Sequence, residues 1–111
     1  MPHSARPVNE AKAGLFRVLG HPARVRILEL LQDGERSVGQ LQTELGLDSG
    51  GTSQHLTALR RIGLVESRRE GTSVYYRVDD PQVSKLLAAG KAIVGRKLAE
   101  QQALLEELDA T

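Results

Sequence analysis

The stretch SVGQLQTELGLDSGGTSQHLTALRRIGLVESRREGTSVYYRV, Ser37 to Val78, changes its hydrophobic period once, and that change decides the fold. As far as Gly63 its apolar residues recur at helical spacing, and beyond it they alternate. Ser37 is suited to cap a short helix in which Val38, Leu41 and Leu45 share one side and Gly46 closes the end. Asp48 to Gly51, DSGG, read as turn and cap, after which Thr52, Leu56, Leu59 and Ile62 supply one buried stripe that Gly63 ends. Val65, Val74, Tyr76 and Val78 then alternate with polar residues around a turn at Glu70, Gly71 and Thr72. Two short helices joined by a tight turn (37–63), followed by a two-stranded ribbon (64–78), make a winged helix-turn-helix.

Working outward, Val8, Ala11, Leu15, Val18 and Leu19 predict a helix over 8–19, with 1–7 left as a flexible tail. Gly20-His21-Pro22 punctuates the chain, and Pro22 fits the first position of a second, core helix carrying Val25, Ile27, Leu28, Leu30 and Leu31. Downstream, Pro81 opens a long amphipathic helix over 81–108, about 40 Å at 1.5 Å per residue. Gly90 and Gly95 lie inside it, each costing about 1 kcal/mol against Ala, and read either as a bend or as close helix packing. The expected architecture is mainly α with a two-stranded β-wing, in the order ααααββα. A chain of 111 residues fits one such domain over 1–111. With 40% hydrophobic but only 3% aromatic residues, its core must be built from Leu, Val, Ile and Ala.

The first and last helices carry more apolar surface than one small core can cover. Leu15, Val18, Leu86, Ile93, Val94, Leu98, Leu104 and Leu105 are therefore expected in a two-fold interface. The formal charge of +1 is too small to announce a nucleic-acid partner, but its distribution is uneven. Gly51 to Val78 holds five arginines against two glutamates, a local +3 that leaves the remainder at −2. The absence of cysteine excludes disulfides and thiolate chemistry. No apolar leader or run long enough to span a membrane is present, so the expected location is cytoplasmic. No clustered His and acid and no phosphate-binding glycine motif supports an enzyme, and no cofactor is expected.

At Leu19–Leu31 (LGHPARVRILELL), Ser37–Leu47 (SVGQLQTELGL), Thr52–Val65 (TSQHLTALRRIGLV) and Arg68–Val78 (RREGTSVYYRV) the chain resembles the ArsR/SmtB family of bacterial winged-helix repressors. The resemblance runs from about Leu15 to Val78. It implies a homodimer paired through its first and last helices, binding an imperfect palindrome in an operator and released by an inducer. The family's recognition helix commonly reads VSHHL, which Ser53, His55 and Leu56 match; Gly50, Gly51 and Gln54 depart from it. Metal-sensing relatives use cysteines on the third helix or His and carboxylates on the last. Here there is no cysteine and no His after His55, so no metal site is expected, and a small-molecule inducer, a protein partner or no inducer at all stays open.

With Thr52, Leu56 and Leu59 inward, Ser49, Ser53, Gln54 and Thr57 fall on the outer or leading side, the part that enters a major groove of duplex DNA. Gln54 is the first choice for base contact because its amide can bond adenine bidentately. Gly50 and Gly51 carry two readings: a plain turn needing positive φ, or a helix start whose bare N–H groups approach a phosphate. Arg60 and Arg61 are either phosphate contacts or solvated helix residues. Arg68 and Arg69, with Thr72 at the wing tip, are placed to enter a minor groove. His21 is expected to organise a helix start, and His55 to hydrogen-bond a neighbour. Tyr75 and Tyr76 are read as structural. The rival reading is a protein-interaction module on a winged-helix scaffold, docking through the long C-terminal helix.

Overall fold

In the computed structural model, residues 2–111 are described, with side chains from Arg6 onward. The elements run α1 (Pro2–Leu19), α2 (Pro22–Leu31), β1 (Arg36–Ser37), α3 (Val38–Leu45), α4 (Ser49–Arg61), β2 (Glu66–Glu70), β3 (Ser73–Arg77) and α5 (Pro81–Asp109). They fall into two units that meet in sequence at Asp80 and Pro81.

In the first unit the core is aliphatic. Ile27, Leu28, Leu30 and Leu31 of α2 lie buried with Leu41 of α3, Leu56 and Leu59 of α4, and Val65 and Tyr76 of the sheet region. Thr52 is also fully buried, and its hydroxyl is satisfied by donating to the Asp48 carbonyl at 2.9 Å. Ile62, expected in the same stripe, is instead 41% exposed. The helix has ended one residue earlier, and Ile62 as C-cap has left the helical face.

Both helices of the 37–61 segment end in one way. Gly46 and Gly63 have φ of +65° and +78°, a conformation that side-chain-bearing residues avoid. Leu47 N–H then donates to the Gln42 carbonyl, and Leu64 N–H to that of Leu59. These back-bonds satisfy carbonyls the helices leave open, as a Schellman ending does. Ser37 starts α3 as expected, in a reciprocal box: its Oγ accepts from Gln40 N–H, and its own N–H donates to Gln40 Oε1 at 2.8 Å.

Two expectations change. The wing is part of a three-stranded antiparallel sheet in the order β1-β3-β2, where two strands were expected. The extra strand pairs Arg36 with Tyr76 and Ser37 with Tyr75. Two residues are too few to show alternation, so their pairing comes from the neighbouring β3 rather than from any local pattern. At the amino terminus, α1 begins at Pro2, so the backbone of 2–7, expected as a tail, is helical. It runs through Pro7, which lacks an N–H for the ladder, and Arg6 pairs with Glu10 one turn on at 3.2 Å. Met1 and the side chains of 2–5 lie outside the described residues.

The second unit is α5 alone. Ile93, Val94, Leu98, Leu104, Leu105 and Leu108 are each 52–67% exposed along it. No helix among the described residues is long and apolar enough to cross a membrane.

Because Leu56 is fully enclosed, Leu56→Ala is expected to cost about 2–5 kcal/mol, through lost burial plus the cavity it leaves. Chemical denaturation at fixed protomer concentration measures it; a loss under about 1 kcal/mol would mean that α4 is not anchored by this face.

Candidate nucleic-acid interface

Three residues, Gly46 to Asp48, separate α3 from α4. Asp48 is the N-cap of α4, and its Oδ1 accepts from Gly51 N–H at 2.7 Å. A carboxylate here also meets the positive end of the helix dipole. Neither Gly50 nor Gly51 has a positive φ, so the turn reading of the glycine pair is overturned: both are ordinary helical residues. Gly51 has a different reason. A Cβ there would stand 3.0 Å from Asp48 Oδ1, crowding the capping carboxylate, whereas one at Gly50 would stand at an ordinary 3.8 Å. The Gly51 N–H is spent on the cap. Among the described residues, those of Ser49 and Gly50 have no acceptor.

Outside the stripe of Thr52, Leu56 and Leu59, α4 presents Ser49, Gly50, Ser53, Gln54, Arg60 and Arg61 exposed, with Thr57 half-buried. It is a face of neutral donors and acceptors, followed by two cations in the last turn. Arg60 Nη1 reaches Ser67 Oγ of β2 at 3.4 Å, linking helix to wing, while Arg61 makes no ion pair among the described residues.

The wing separates its two arginines. Neighbours on a strand point to opposite faces. Arg68 stands opposite Tyr75 and Arg69 opposite Val74. Arg68 is engaged on every side. Its Nη2 lies 2.6 Å from Glu35 Oε1 and its Nη1 2.7 Å from Glu70 Oε2, and its guanidinium carbon sits 4.6 Å from the Tyr75 ring centroid. The bonds from Arg68 hold the Glu35 carboxyl below the usual carboxylate range and raise the guanidinium further still. Arg68 is thus a brace between the α2–β1 loop and the wing. Arg69 is exposed and makes no ion pair among the described residues. At the tip, Gly71 has φ +61° while Thr72 stays negative, the pattern of a two-residue II′ turn.

The histidines sit behind this surface. His21 is the N-cap of α2, its Nδ1 accepting from Ala23 N–H at 3.3 Å. His55 accepts through Nδ1 from Arg24 Nε at 3.1 Å. Tyr76 is buried and Tyr75 half-buried under Arg68.

Sequence reasoning missed several residues. Arg36 borders an open polar hollow of about 580 Å³ at the start of α3 with Ser37, Gln40 and Thr43, and an arginine directly before a helix cap is the signal that could have marked it. Glu35 and Arg24 act over separations of 33 and 31 residues, which leave no local trace. Of the residues expected to pair two subunits, Leu15 and Val18 are half-buried beside an open apolar hollow of about 680 Å³ that Ile62 and Leu64 also line. Phe16, the sole Phe of the chain, is 60% exposed on α1, off the stripe that periodicity picked out.

The two glycines separate by substitution. Gly50→Ala is expected to stabilise the fold by up to about 1 kcal/mol through helix propensity. Gly51→Ala should forfeit most of that gain against Asp48, and Asp48→Ala should cost about 1 kcal/mol as a lost cap. Thermal melts of the three variants check the order; a Gly51→Ala gain equal to that of Gly50→Ala would remove the crowding argument.

Residues 21–67 match the family described as "Bacterial regulatory protein, arsR family". The chain is 43% identical over 107 residues to the HTH-type transcriptional regulator Rv0081 of Mycobacterium tuberculosis, covering 96% of this chain and 94% of that one. The crystal structure of Rv0081 superimposes with a TM-score of 0.80 over 86% of this chain and 96% of that chain. A biofilm growth-associated repressor of Xylella fastidiosa is 34% identical, over 80% of this chain and 82% of its own length. The solution structure of a homodimeric winged helix-turn-helix DNA-binding domain from Mycobacterium bovis, 36% identical, matches with a TM-score of 0.74 over 81% of this chain and 83% of that one. These are regulators and not enzymes, and the chain belongs to the arsR family of bacterial regulatory proteins.

Proposed function

We propose that the protein is a homodimeric, sequence-specific DNA-binding repressor that acts in the cytoplasm on an operator and is relieved by an inducer other than a metal held by cysteines. The observation that carries this reading is the composition of the outward face of α4: uncharged Ser49, Ser53, Gln54 and Thr57 lie outside the buried stripe of Thr52, Leu56 and Leu59, with exposed arginines at its end and on the wing. Base edges are read by such neutral groups, and phosphates by cations around them. Repressors occur among its relatives, which supports this direction of control although an activator of Vibrio cholerae is also similar, and a homodimeric relative supports the pairing. Pairing through α1 and α5 would cover Leu15, Val18, Leu86, Ile93, Val94, Leu98, Leu104 and Leu105, with Phe16 added to them.

Within this reading Gln54 contacts a base, and Ser49, Gly50, Ser53 and Thr57 line the groove. Arg60, Arg61, Arg69 and Arg36 hold phosphates or the minor groove, with Thr72 beside them at the wing tip. Gly51 is withdrawn from direct contact because its N–H belongs to Asp48. Arg68 shapes the wing rather than binding DNA, because its charge is already matched by Glu35 and Glu70.

Selection of bound genomic fragments with the purified dimer should recover a palindrome with half-sites about one helical turn, 10 bp, apart. On the recovered duplex, Gln54→Ala is expected to relax one base position at a cost of about 1–3 kcal/mol. Arg69→Ala should flatten the salt dependence by about one unit per protomer, whereas Arg68→Ala should change that slope little. Anisotropy titrations across salt check both. Equal slopes for all three proteins would remove Arg69 from the interface, and a reporter that rises with the intact protein would reverse the assigned direction of control.

A further inference from the structure

Arg24, on the first turns of α2, donates in two directions. Its Nη1 reaches the carbonyl of Val18 at 3.3 Å, in the last turn of α1, and its Nε reaches Nδ1 of His55 at 3.1 Å, in the middle of α4. The Val18 carbonyl is one of the four at the end of α1 that have no intrahelical donor, so Arg24 both caps that helix and brings a cation to its negative pole. His55 follows Gln54 directly, and its ring lies against that of His21, centroids 4.3 Å apart and tilted 56°. One part-buried guanidinium thus joins the end of α1, the start of α2 and the centre of α4.

The acceptor in this bridge is conditional. A neutral imidazole accepts at one nitrogen and donates at the other, and an imidazolium only donates. Protonation of His55 would therefore abolish the bond from Arg24 and leave two cations facing each other. The groups acting on His55 are all unfavourable to its charge: burial first, then His21 beside it and Arg24 above it, and together they hold the imidazole below its ordinary value. Among the described residues, no carboxylate is among the groups that act on it. With the folded value lowered, the bridge is intact above about pH 6.5, the ordinary value for His, and is lost as the pH falls through the lowered one.

We propose that Arg24 is a positioning residue for DNA recognition: it sets α4 against α1 through neutral His55, and it lets α4 go when His55 takes a proton. This rests on the reading of α4 as the helix that enters the groove. The consequence is a regulator whose hold on DNA weakens in mild acid without any metal or small molecule, while the phosphate-binding arginines keep their charge. Because α1 is expected to pair two subunits, the same bridge ties the spacing of the two reading helices to the subunit interface.

The test uses the full-length protein, a duplex recovered by selection with the wild type, and anisotropy at fixed ionic strength near pH 7.5 and near pH 5.5. The wild type is expected to lose affinity on acidification, by less than about tenfold, because a site held below its ordinary value is protonated only in part near pH 5.5. His55→Leu and Arg24→Met, which remove acceptor and donor, should bind about tenfold more weakly than wild type near neutrality, with the double variant no weaker than either. His55→Asn, whose amide oxygen hangs from the same carbon as Nδ1, should restore binding relative to His55→Leu and lose the acid response. A parallel loss of affinity in acid for wild type and His55→Asn overturns the proposal even if the other variants fold poorly. If wild type binds near neutrality and both His55→Leu and Arg24→Met bind as tightly, the positioning role falls and the repressor reading stands. If wild type binds no duplex at either pH, the repressor reading falls and takes this role with it.

Discussion

The burial of Thr52, Leu56 and Leu59 is the constraint on which the rest of this protein depends. A helix of 13 residues has one inner face to offer, and once those three side chains are enclosed the outward row is no longer free to vary in position. Nothing about Gln54 or Ser53 places them. They are carried to the surface by what Leu56 and Leu59 must do, and the Asp48 cap at one end and the Gly63 back-bond at the other limit how far the helix can slide or fray. A surface built this way can change its polar residues with little effect on the core, since the exposed and buried residues lie on different sides of one helix.

The wing obeys a second, electrostatic constraint. A two-stranded ribbon of five-residue strands is marginal by itself. Here it is backed by β1 on one side and braced by Arg68, which crosses to Glu35 in the loop before β1 while lying on Tyr75. The brace is partly exposed, so its contribution to stability is modest and screened by salt. Its greater effect is on geometry: it holds the ribbon at one angle and leaves Arg69, on the other face, as the residue that can extend from it.

Much of this could be read from the residues because it is written locally. Ser37 with Gln40 three residues on, Gly46 and Gly63 after apolar runs, Pro22 behind His21, and the alternation from Val74 to Val78 each express a rule that operates within four residues. The elements that escaped are those whose cause lies elsewhere in the chain. β1 exists only because β3 is there to pair with it. Arg68 reads in the sequence as a wing-tip cation, and only the folded chain brings Glu35, 33 residues earlier, onto it. The glycine pair has the composition of a turn, yet both residues are helical and the tight site lies at Gly51 alone, set by the direction from which the Asp48 carboxylate approaches.

That carboxylate also bears on how the surface is divided between attraction and reading. A helix start is a natural anion site, but in α4 the position is already held by Asp48, so a phosphate approaching Ser49 and Gly50 meets a negative charge as well as two open N–H groups. Of the five arginines between Gly51 and Val78, Arg68 is matched by Glu35 and Glu70, and Arg77 by Asp79 at 3.0 Å. Only Arg60, Arg61 and Arg69 carry charge that no carboxylate among the described residues cancels. The arginine charge left unmatched is therefore concentrated at two places, the end of α4 and the wing, away from the neutral row around Gln54. On the proposed function, attraction sits at the margins, where it can orient a duplex, and the centre holds groups whose hydrogen bonds depend on which base they meet.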